Sequence, residues 1–364
     1  MSDLKEIWVE RKNLRTSKIV EVDLPNISDG EVLVSIDKFG LTSNNVSYGV
    51  SGDMIGYWGY FPAQDQWGKI PVWGCASVVE SQSADIKIGE RLWGFFPMAS
   101  HVVLEPGNIR GDQLTDMAPH RSKLPSLYNQ YRRTAAEPEI LTQMENERCL
   151  LFPLFMTSFV LSDYLMHHNF FGAEQVVIGS ASAKTAFGLA QLLSSNKDVS
   201  QKIVGVTSAG NEAFVKSLGI YDEVILYKQE DQIDASLKTA YVDMSGDKNL
   251  TTRIHMHIKE NVVESCLVGA THWEDGGRLQ ELPGKKPAFF FAPGHIGSRD
   301  ETLGKGQMMM RGMMSGVEIS SALKGKLNIN WVNGPEALQT AWSNMLDNRV
   351  DPKNGLMVSL LTDQ

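Results

Sequence analysis

The chain has 364 residues, 42% hydrophobic and 21% charged, which is long enough for two domains with sizeable cores. Its 34 basic residues stand against 43 acidic ones, and the net charge of −9 argues against nucleic-acid or anionic-membrane partners. No apolar run reaches transmembrane length and the segment Met1–Asn13 is too polar for a signal peptide, so a cytoplasmic location is expected. Three cysteines (Cys75, Cys149 and Cys266), far apart in sequence, give no disulfide framework.

From the N-terminus, residues 6–23 alternate loosely and read as strands closed by Leu24-Pro25. Residues 31–39 alternate cleanly, which predicts a half-buried strand, and Gly40 to Asn45 form the turn that leaves it. The stretch Tyr48 to Trp73 holds Tyr48, Tyr57, Trp58, Tyr60, Phe61, Trp67 and Trp73 with glycines interleaved, and it reads as a loop. Most of these rings are expected to pack as apolar filler, while a tyrosine hydroxyl among them is a candidate proton donor beside an apolar pocket.

The informative stretch is residues 174–193. A β-branched run at Val176 to Ile178 predicts a strand buried on both faces. It is followed by the small-residue turn Gly179-Ser180-Ala181-Ser182-Ala183 and by a helix with Ala186, Leu189, Ala190 and Leu193 on one face. Strand, tight turn and helix bring backbone N–H groups and a helix N-terminus to a phosphate. A P-loop is excluded, because its glycine positions would be Ile178 and Ala183 even though Lys184-Thr185 follows. Of a Gly-x-Gly-x-x-Gly fingerprint only Gly179 and Gly188 sit near suitable places, with Ala and Ser replacing the middle glycines. The turn alone therefore leaves a structural strand–helix connection and a dinucleotide site both open.

Further strand candidates at 202–208, 223–227, 241–244, 264–269 and 287–292 alternate with helical segments. That pattern predicts an α/β, doubly wound parallel sheet of six strands. The helix after the fourth strand holds His255 and His257, which point apart on a helix and do not suggest a metal site. Thr271 and Pro293 fall in turns that end the fifth and sixth strands, where ligands bind in such sheets. The five methionines between Gly306 and Met314 read as core or interface filler, and residues 335–346 as an amphipathic helix.

The run from Ile203 to Tyr227, Ile-Val-Gly-Val-Thr-Ser-Ala-Gly-Asn-Glu-Ala-Phe-Val-Lys-Ser-Leu-Gly-Ile-Tyr-Asp-Glu-Val-Ile-Leu-Tyr, resembles the medium-chain dehydrogenase/reductase superfamily. The likeness extends over nearly the whole chain. It is nearest to the zinc-independent quinone and enoyl reductases and, within these, to a bacterial branch known only as a domain of unknown function. Ile88 to Phe95 resembles the family's Gly-Asp-Arg-Val-Trp-Gly-Phe strand, and residues 355–360 its final strand.

The resemblance implies a GroES-like, β-rich catalytic domain over 1–155 with an insert at 107–147, a Rossmann domain over 156–299, and a return to the first domain over 300–364. The insert reads as a solvated helical segment whose arginines pair with nearby acids. The alternative is a specificity element in which Tyr131 and the arginines meet a substrate carboxylate or phosphate. Where zinc-dependent relatives carry ligands, this chain has Thr42-Ser43-Asn44 and Gly74-Cys75-Ala76, and no cysteine matches between Phe152 and Ser158, so no metal is expected. The resemblance further implies a catalytic tyrosine shortly after Asn45, with Tyr57 and Tyr48 the candidates and Asn44 a polar group in the same turn. It places Thr157 near a nicotinamide and Tyr227 near a 2′-phosphate.

An NAD site usually places an acid at the end of the second strand. Here Thr207-Ser208-Ala209-Gly210-Asn211 offers none before Glu212, which favours NADP(H). The expected cofactor contacts are Thr157, Gly179, Ser180, Ala181, Ser182, Lys184, Thr185, Ser208, Asn211, Tyr227, Thr271 and Pro293. The reading is an NADPH-dependent reductase of an apolar enone or quinone, expected as a homodimer. The rival is an NADP(H)-binding sensor without turnover.

Overall fold

The computed structural model describes residues 4–269 and 281–361; the Thr271 turn lies outside the described residues. The chain forms two compact units, one of residues 1–150 with 328–364, the other of residues 151–327.

The first unit opens with the antiparallel pair β1 (Leu4–Glu10) and β2 (Asn13–Val22), followed by β3 (Val32–Leu41). The aromatic stretch that reads as a loop contains two short helices, α1 (Ser43–Val50) and α2 (Gly52–Ile55), and a tight turn at Tyr57–Gly59. A capping box starts α1: the Thr42 amide donates to Asn45 Oδ1 at 2.7 Å. The glycines that suggested a loop are there for packing. A Cβ on Gly52 would lie 2.2 Å from Trp58 Nε1, and one on Gly49 would touch Leu14 and Ile70.

β4 (Trp67–Gly68), β5 (Pro71–Ser81), β6 (Arg91–Pro97), β7 (His101–Leu104), β8 (Pro106–Gly107), β9 (Gln113–Asp116) and β10 (Gln130–Arg133) follow. The 107–147 segment is thus partly β-structure rather than a helical insert; β10 pairs with both β6 and β9, and its helical parts are α3 (Glu139–Gln143), the start of α4 (Glu145–Leu150) and short 3₁₀ turns at Pro119–Arg121, Ser126–Asn129 and Thr134–Ala136. Its arginines do pair with acids. Arg121 is buried against Asp116 at 3.1 Å, Arg132 meets Asp112 at 3.0 Å and Glu137 at 3.2 Å, and Arg133 bonds Glu90.

The expected half-buried strand at 31–39 is β3, and it is covered on both faces because α4 packs on it. The approach is close enough that a Cβ on Gly40 would lie 2.5 Å from the Cys149 carbonyl oxygen, so only glycine fits there.

In the second unit, α5 (Phe152–His167) leads into β11 (Gln175–Gly179), α6 (Lys184–Ser195), β12 (Lys202–Thr207), α7 (Glu212–Leu218), β13 (Glu223–Leu226), β14 (Thr239–Asp243), α8 (Lys248–Ile258), β15 (Val262–Leu267) and β16 (Ala288–Phe289). The sheet order is β13-β12-β11-β14-β15-β16 with every pair parallel, the order of the dinucleotide-binding plan. Val176, Val177 and Ile178 are fully buried, as their β-branched run predicts. His255 and His257 lie on α8 and face different partners, Ser265 with Pro283 and Ile233 respectively.

α9 (Ala292–Leu303) and α10 (Gln307–Ala322) also belong to this second unit, so the return to the first begins at Asn328 rather than near residue 300. The reason is close helix packing: a Cβ on Gly312 would lie 2.3 Å from Met156 Sδ, and one on Gly316 would lie 3.0 Å from the Phe152 ring, both on α5.

The chain then adds β17 (Asn328–Asn333), α11 (Pro335–Leu346) and β18 (Asn354–Ser359) to the first unit. β18 pairs antiparallel with β3, and β17 runs parallel to β18 at the edge of a nine-stranded sheet. The expected amphipathic helix is α11, whose fully buried Trp342 donates through Nε1 to the Leu14 carbonyl at 2.9 Å. Among the described residues no helix is long and apolar enough to cross a membrane.

Candidate active site

In the second unit the turn after the central strand is shaped for an anion. Ser180 adopts φ 54°, the left-handed region normally taken by glycine, which turns the chain sharply behind Gly179. The Ala181 amide donates to the Val206 carbonyl at 3.0 Å and the Ala183 amide to the Ser180 carbonyl at 2.8 Å, which fixes the loop. Tyr221 braces it by donating its hydroxyl to the Ala181 carbonyl at 2.9 Å. α6 then starts at Lys184 behind Ala183, which offers no side-chain cap to its first amides. An uncapped helix start at the carboxyl end of the central parallel strand can hold a phosphate.

Gly179 closes β11 where space is short, since a Cβ would lie 3.1 Å from Tyr241 Oη and 3.2 Å from Asp243 Oδ1. Beside it, at the end of β12, the buried Thr207 Oγ1 has no partner among the described residues. Such an orphan at a strand end fits a site that a polar ligand completes.

Several expected cofactor residues are brought together here. Asn211 Nδ2 donates to Ser182 Oγ at 3.0 Å, joining the segment after β12 to the turn after β11. Tyr227 is pushed up to about 12 by burial, against a hydrogen bond with Ser180 that lowers it. Ser208 follows directly on β12, half-buried, with its carbonyl accepting from the Asn211 amide. Lys184 and Thr185 form the first turn of α6, and the Thr185 carbonyl accepts from Ser158 Oγ of α5 at 2.8 Å. Thr157, next to that serine, is half-buried, and its own hydroxyl points back to the Pro153 carbonyl at 3.5 Å. Pro293 lies in the first turn of α9 rather than in a loop.

A further polar residue of this region, outside every sequence motif, is Asp243 at the end of β14. It is buried and accepts from the Ser245 amide and hydroxyl, the Gly246 amide and the Thr251 hydroxyl. Burial raises its pKa while those donors lower it. An acid closing a strand just before Ser-Gly was the available signal.

In the first unit Tyr48, Tyr57, Tyr60, Phe61 and Phe95 form one buried cluster, against which Trp73 and Tyr128 pack. Tyr48 Oη accepts two hydrogen bonds, from Asn44 Nδ2 at 2.7 Å and Trp73 Nε1 at 2.9 Å. With both donors on its oxygen, the Tyr48 proton has no acceptor among the described residues and is left to be donated. Burial pushes the Tyr48 hydroxyl well above its ordinary value, and the Tyr128 hydroxyl raises it further. The bonds from Trp73 and Asn44 oppose that rise. Tyr57 differs, because its hydroxyl shares a hydrogen bond of 2.9 Å with Tyr128 Oη, and burial together with the neighbouring tyrosine hydroxyls raises its pKa. Both tyrosines are thus at least nine-tenths buried and close together, with ring centroids 4.6 Å apart. Trp73 and Tyr128 were not among the candidates; the 107–147 segment reaches this cluster through Leu124 and Tyr128, through Arg121 over the Phe61 ring, and through the Pro125 carbonyl, which accepts from Tyr60 Oη at 2.8 Å.

Among the described residues no group of three or more His, Cys, Asp or Glu gathers as metal ligands.

The family described as "Protein of unknown function (DUF2855)" matches residues 39–351, most of the chain. The chain belongs to this family. No curated protein matches it. Among solved structures, this DUF2855 chain is similar to CurA of Vibrio vulnificus in complex with NADPH, at 12% identity and TM-score 0.61 over 98% of this chain and 99% of that one. It is similar to the CurK enoyl reductase at 12% identity and TM-score 0.57, over 98% and 99%. A quinone oxidoreductase from Coxiella burnetii is a further neighbour, at 15% identity and TM-score 0.52, over 99% and 100%. These likenesses establish the fold: a GroES-like β-rich domain with a doubly wound Rossmann domain, the architecture that the sequence predicts.

Proposed function

We propose that this protein is a zinc-independent, NADPH-dependent reductase of an activated double bond or a quinone. The observation that carries the reading is the Gly179–Lys184 turn. Its left-handed Ser180 and uncapped helix sit at the end of the central strand of a sheet in dinucleotide-binding order. The residues that would hold the cofactor are Gly179 to Ser182, Lys184 and Thr185 at its phosphates. Ser208, Asn211 and Tyr227 would lie about its 2′-phosphate, where no acid stands before Glu212. When bound, NADPH supplies a hydride. The CurA structure containing NADPH, the CurK enoyl reductase and the quinone oxidoreductase support that choice by shared fold.

On the chain's side, we assign the proton to Tyr48. Its hydroxyl hydrogen is uncommitted, and Asn44 and Trp73 stand ready to stabilise the oxygen as negative charge develops on it. Tyr57 is the second candidate, and its bond to Tyr128 makes it a support for Tyr48 in this reading. Purified protein should bind NADPH in a fluorescence titration and oxidise it against a panel of enones and quinones, with activity retained in chelator. NADPH binding without turnover on any of the panel would move the protein to the sensor reading; no NADPH binding would remove both. A homodimer in the cytoplasm belongs to the same proposal, and light scattering of the pure protein tests its oligomeric part.

A further inference from the structure

Cys75 lies in β5 and Cys149 in α4, 74 positions apart, yet their Sγ atoms are 3.7 Å from each other and both side chains are buried. Two sulfurs at that distance are in van der Waals contact. A disulfide needs about 2.05 Å, so roughly 1.7 Å has to be closed, a distance that small side-chain rotations at both residues can share. The surroundings allow this. Opposite Cys75, the β3–β5 ladder has a register irregularity between Ile36 and Lys38, so the strand pairing is already interrupted at that point. α4 is held near β5 by Lys38, whose Nζ reaches Glu145 at 2.9 Å and Asn146 at 2.8 Å, and by Arg91 on Glu145. These ties keep the two sulfurs facing each other, and among the described residues the Cys149 thiol is bonded to its partner thiol alone.

We propose that Cys75 and Cys149 are a thiol-oxidation site that closes reversibly to a disulfide, with a small peroxide as the oxidant. Hydrogen peroxide oxidises one thiol to a sulfenic acid and releases one water. The second sulfur then attacks the sulfenic sulfur and expels hydroxide, which takes up the remaining thiol proton as a second water. The two sulfurs lose two electrons in all, and the O–O bond receives them. Burial restricts the oxidant to something the size of a peroxide. Burial also pushes the Cys149 thiol up, as does Cys75 beside it, while Lys38 and Arg148 act in the opposite direction and favour the thiolate.

The pair is wired to the tyrosine cluster through stacked rings. Arg148, the neighbour of Cys149, lies with its guanidinium 4.2 Å over the Trp93 ring. Trp93 stacks on Trp73 with centroids 4.8 Å apart and planes at 24°, and Trp73 Nε1 donates to Tyr48 Oη. Cys75 itself pairs with Trp93 in the β5–β6 ladder. Drawing the two sulfurs together therefore shifts the support on which the Trp73–Tyr48 bond rests.

The test is thiol counting on the full-length protein. Native protein is treated with hydrogen peroxide, quenched with catalase, unfolded in denaturant with iodoacetamide and weighed by mass spectrometry. The expected result is a fall in alkylated thiols from three to one, Cys266 remaining. A linked peptide should join Cys75 to Cys149, and dithiothreitol should restore all three. Tryptophan emission should change on oxidation of the wild type and stay constant in Cys149→Ala. Three alkylated thiols after saturating peroxide would overturn the proposal. So would sulfinic acids at separate cysteines with no linked peptide; both of these readings need only the wild-type protein.

Discussion

Asn211 Nδ2 and Ser182 Oγ are 3.0 Å apart, and that one bond joins the loop after β12 to the turn after β11. It fixes the turn from the side that the second strand approaches, where a cofactor ribose would lie under the proposed function. Asn211→Leu removes the donor from a half-buried position and leaves the strands intact. NADPH affinity is expected to fall about tenfold, at roughly 1.4 kcal/mol for one hydrogen bond. Calorimetric titration reads it directly, and an unchanged dissociation constant would separate Asn211 from the cofactor.

Ser208 tests the choice of cofactor. A carboxylate placed there faces a 2′-phosphate with like charge but accepts hydroxyls from a ribose. Ser208→Asp is expected to weaken NADPH by about 10- to 100-fold and to leave NADH unchanged or improved. If both nucleotides shift together, the 2′-phosphate does not lie at this strand end.

Tyr48→Phe should keep the fold and NADPH binding while lowering kcat by at least about a hundredfold, the usual range for a lost general acid. Tyr57→Phe should cost clearly less, because Tyr48 retains both of its donors. The pH dependence follows from the raised Tyr48 pKa. A donor whose pKa lies above its ordinary value stays protonated through neutral and mildly alkaline pH, so Tyr48 adds no alkaline limb below about pH 10. An alkaline loss near pH 8 that disappears in Tyr48→Phe would contradict this.

Glu145 gives a stability prediction in the acid range. Burial raises its pKa, but bonds from Arg91 and Lys38 outweigh that and bring it down to about 2. An acid whose pKa is lower in the folded state stabilises the fold above its unfolded value of about 4.3. That stability is lost as pH falls from there through about 2. Glu145→Gln should cost about 2 kcal/mol at pH 7 and flatten the stability slope between pH 4.5 and 2 by about one proton. Urea melts of both proteins across that range show whether the slope changes.

Which parts of this were legible in the sequence depended on how local the signal was. The parallel strands announced themselves through short β-branched runs such as Val176 to Ile178, and their order followed from a rule about such folds. The aromatic stretch misled because Gly49 and Gly52 looked like loop residues, whereas they exist to admit Leu14, Ile70 and Trp58 beside short helices. The charges of segment 107–147 suggest a solvated helix; its strands are short, and they join the sheet only where β10 meets β6, far off in sequence. Asn44, Tyr48 and Tyr57 were found as residue types, but the Trp73 bond that sets Tyr48 apart from Tyr57 depends on where β5 runs past α1. The meeting of Cys75 and Cys149 was hidden for the same reason, since linear spacing says nothing about which strand a helix lies on.

The interruption of the first unit at Leu150 and its resumption at Asn328 has a consequence for synthesis on the ribosome. The Rossmann unit is a continuous segment, so all its strands have emerged before β17 and β18 exist, and it can fold first. β3, already paired with β5 and β7, meanwhile waits with its Phe39–Leu41 end open until β18 arrives to pair with it. During that interval a short, apolar strand end is exposed, of the kind that recruits other chains. The nascent protein is therefore most prone to aggregate late in translation, and truncations ending between 328 and 353 should be less soluble than the isolated segment 151–327.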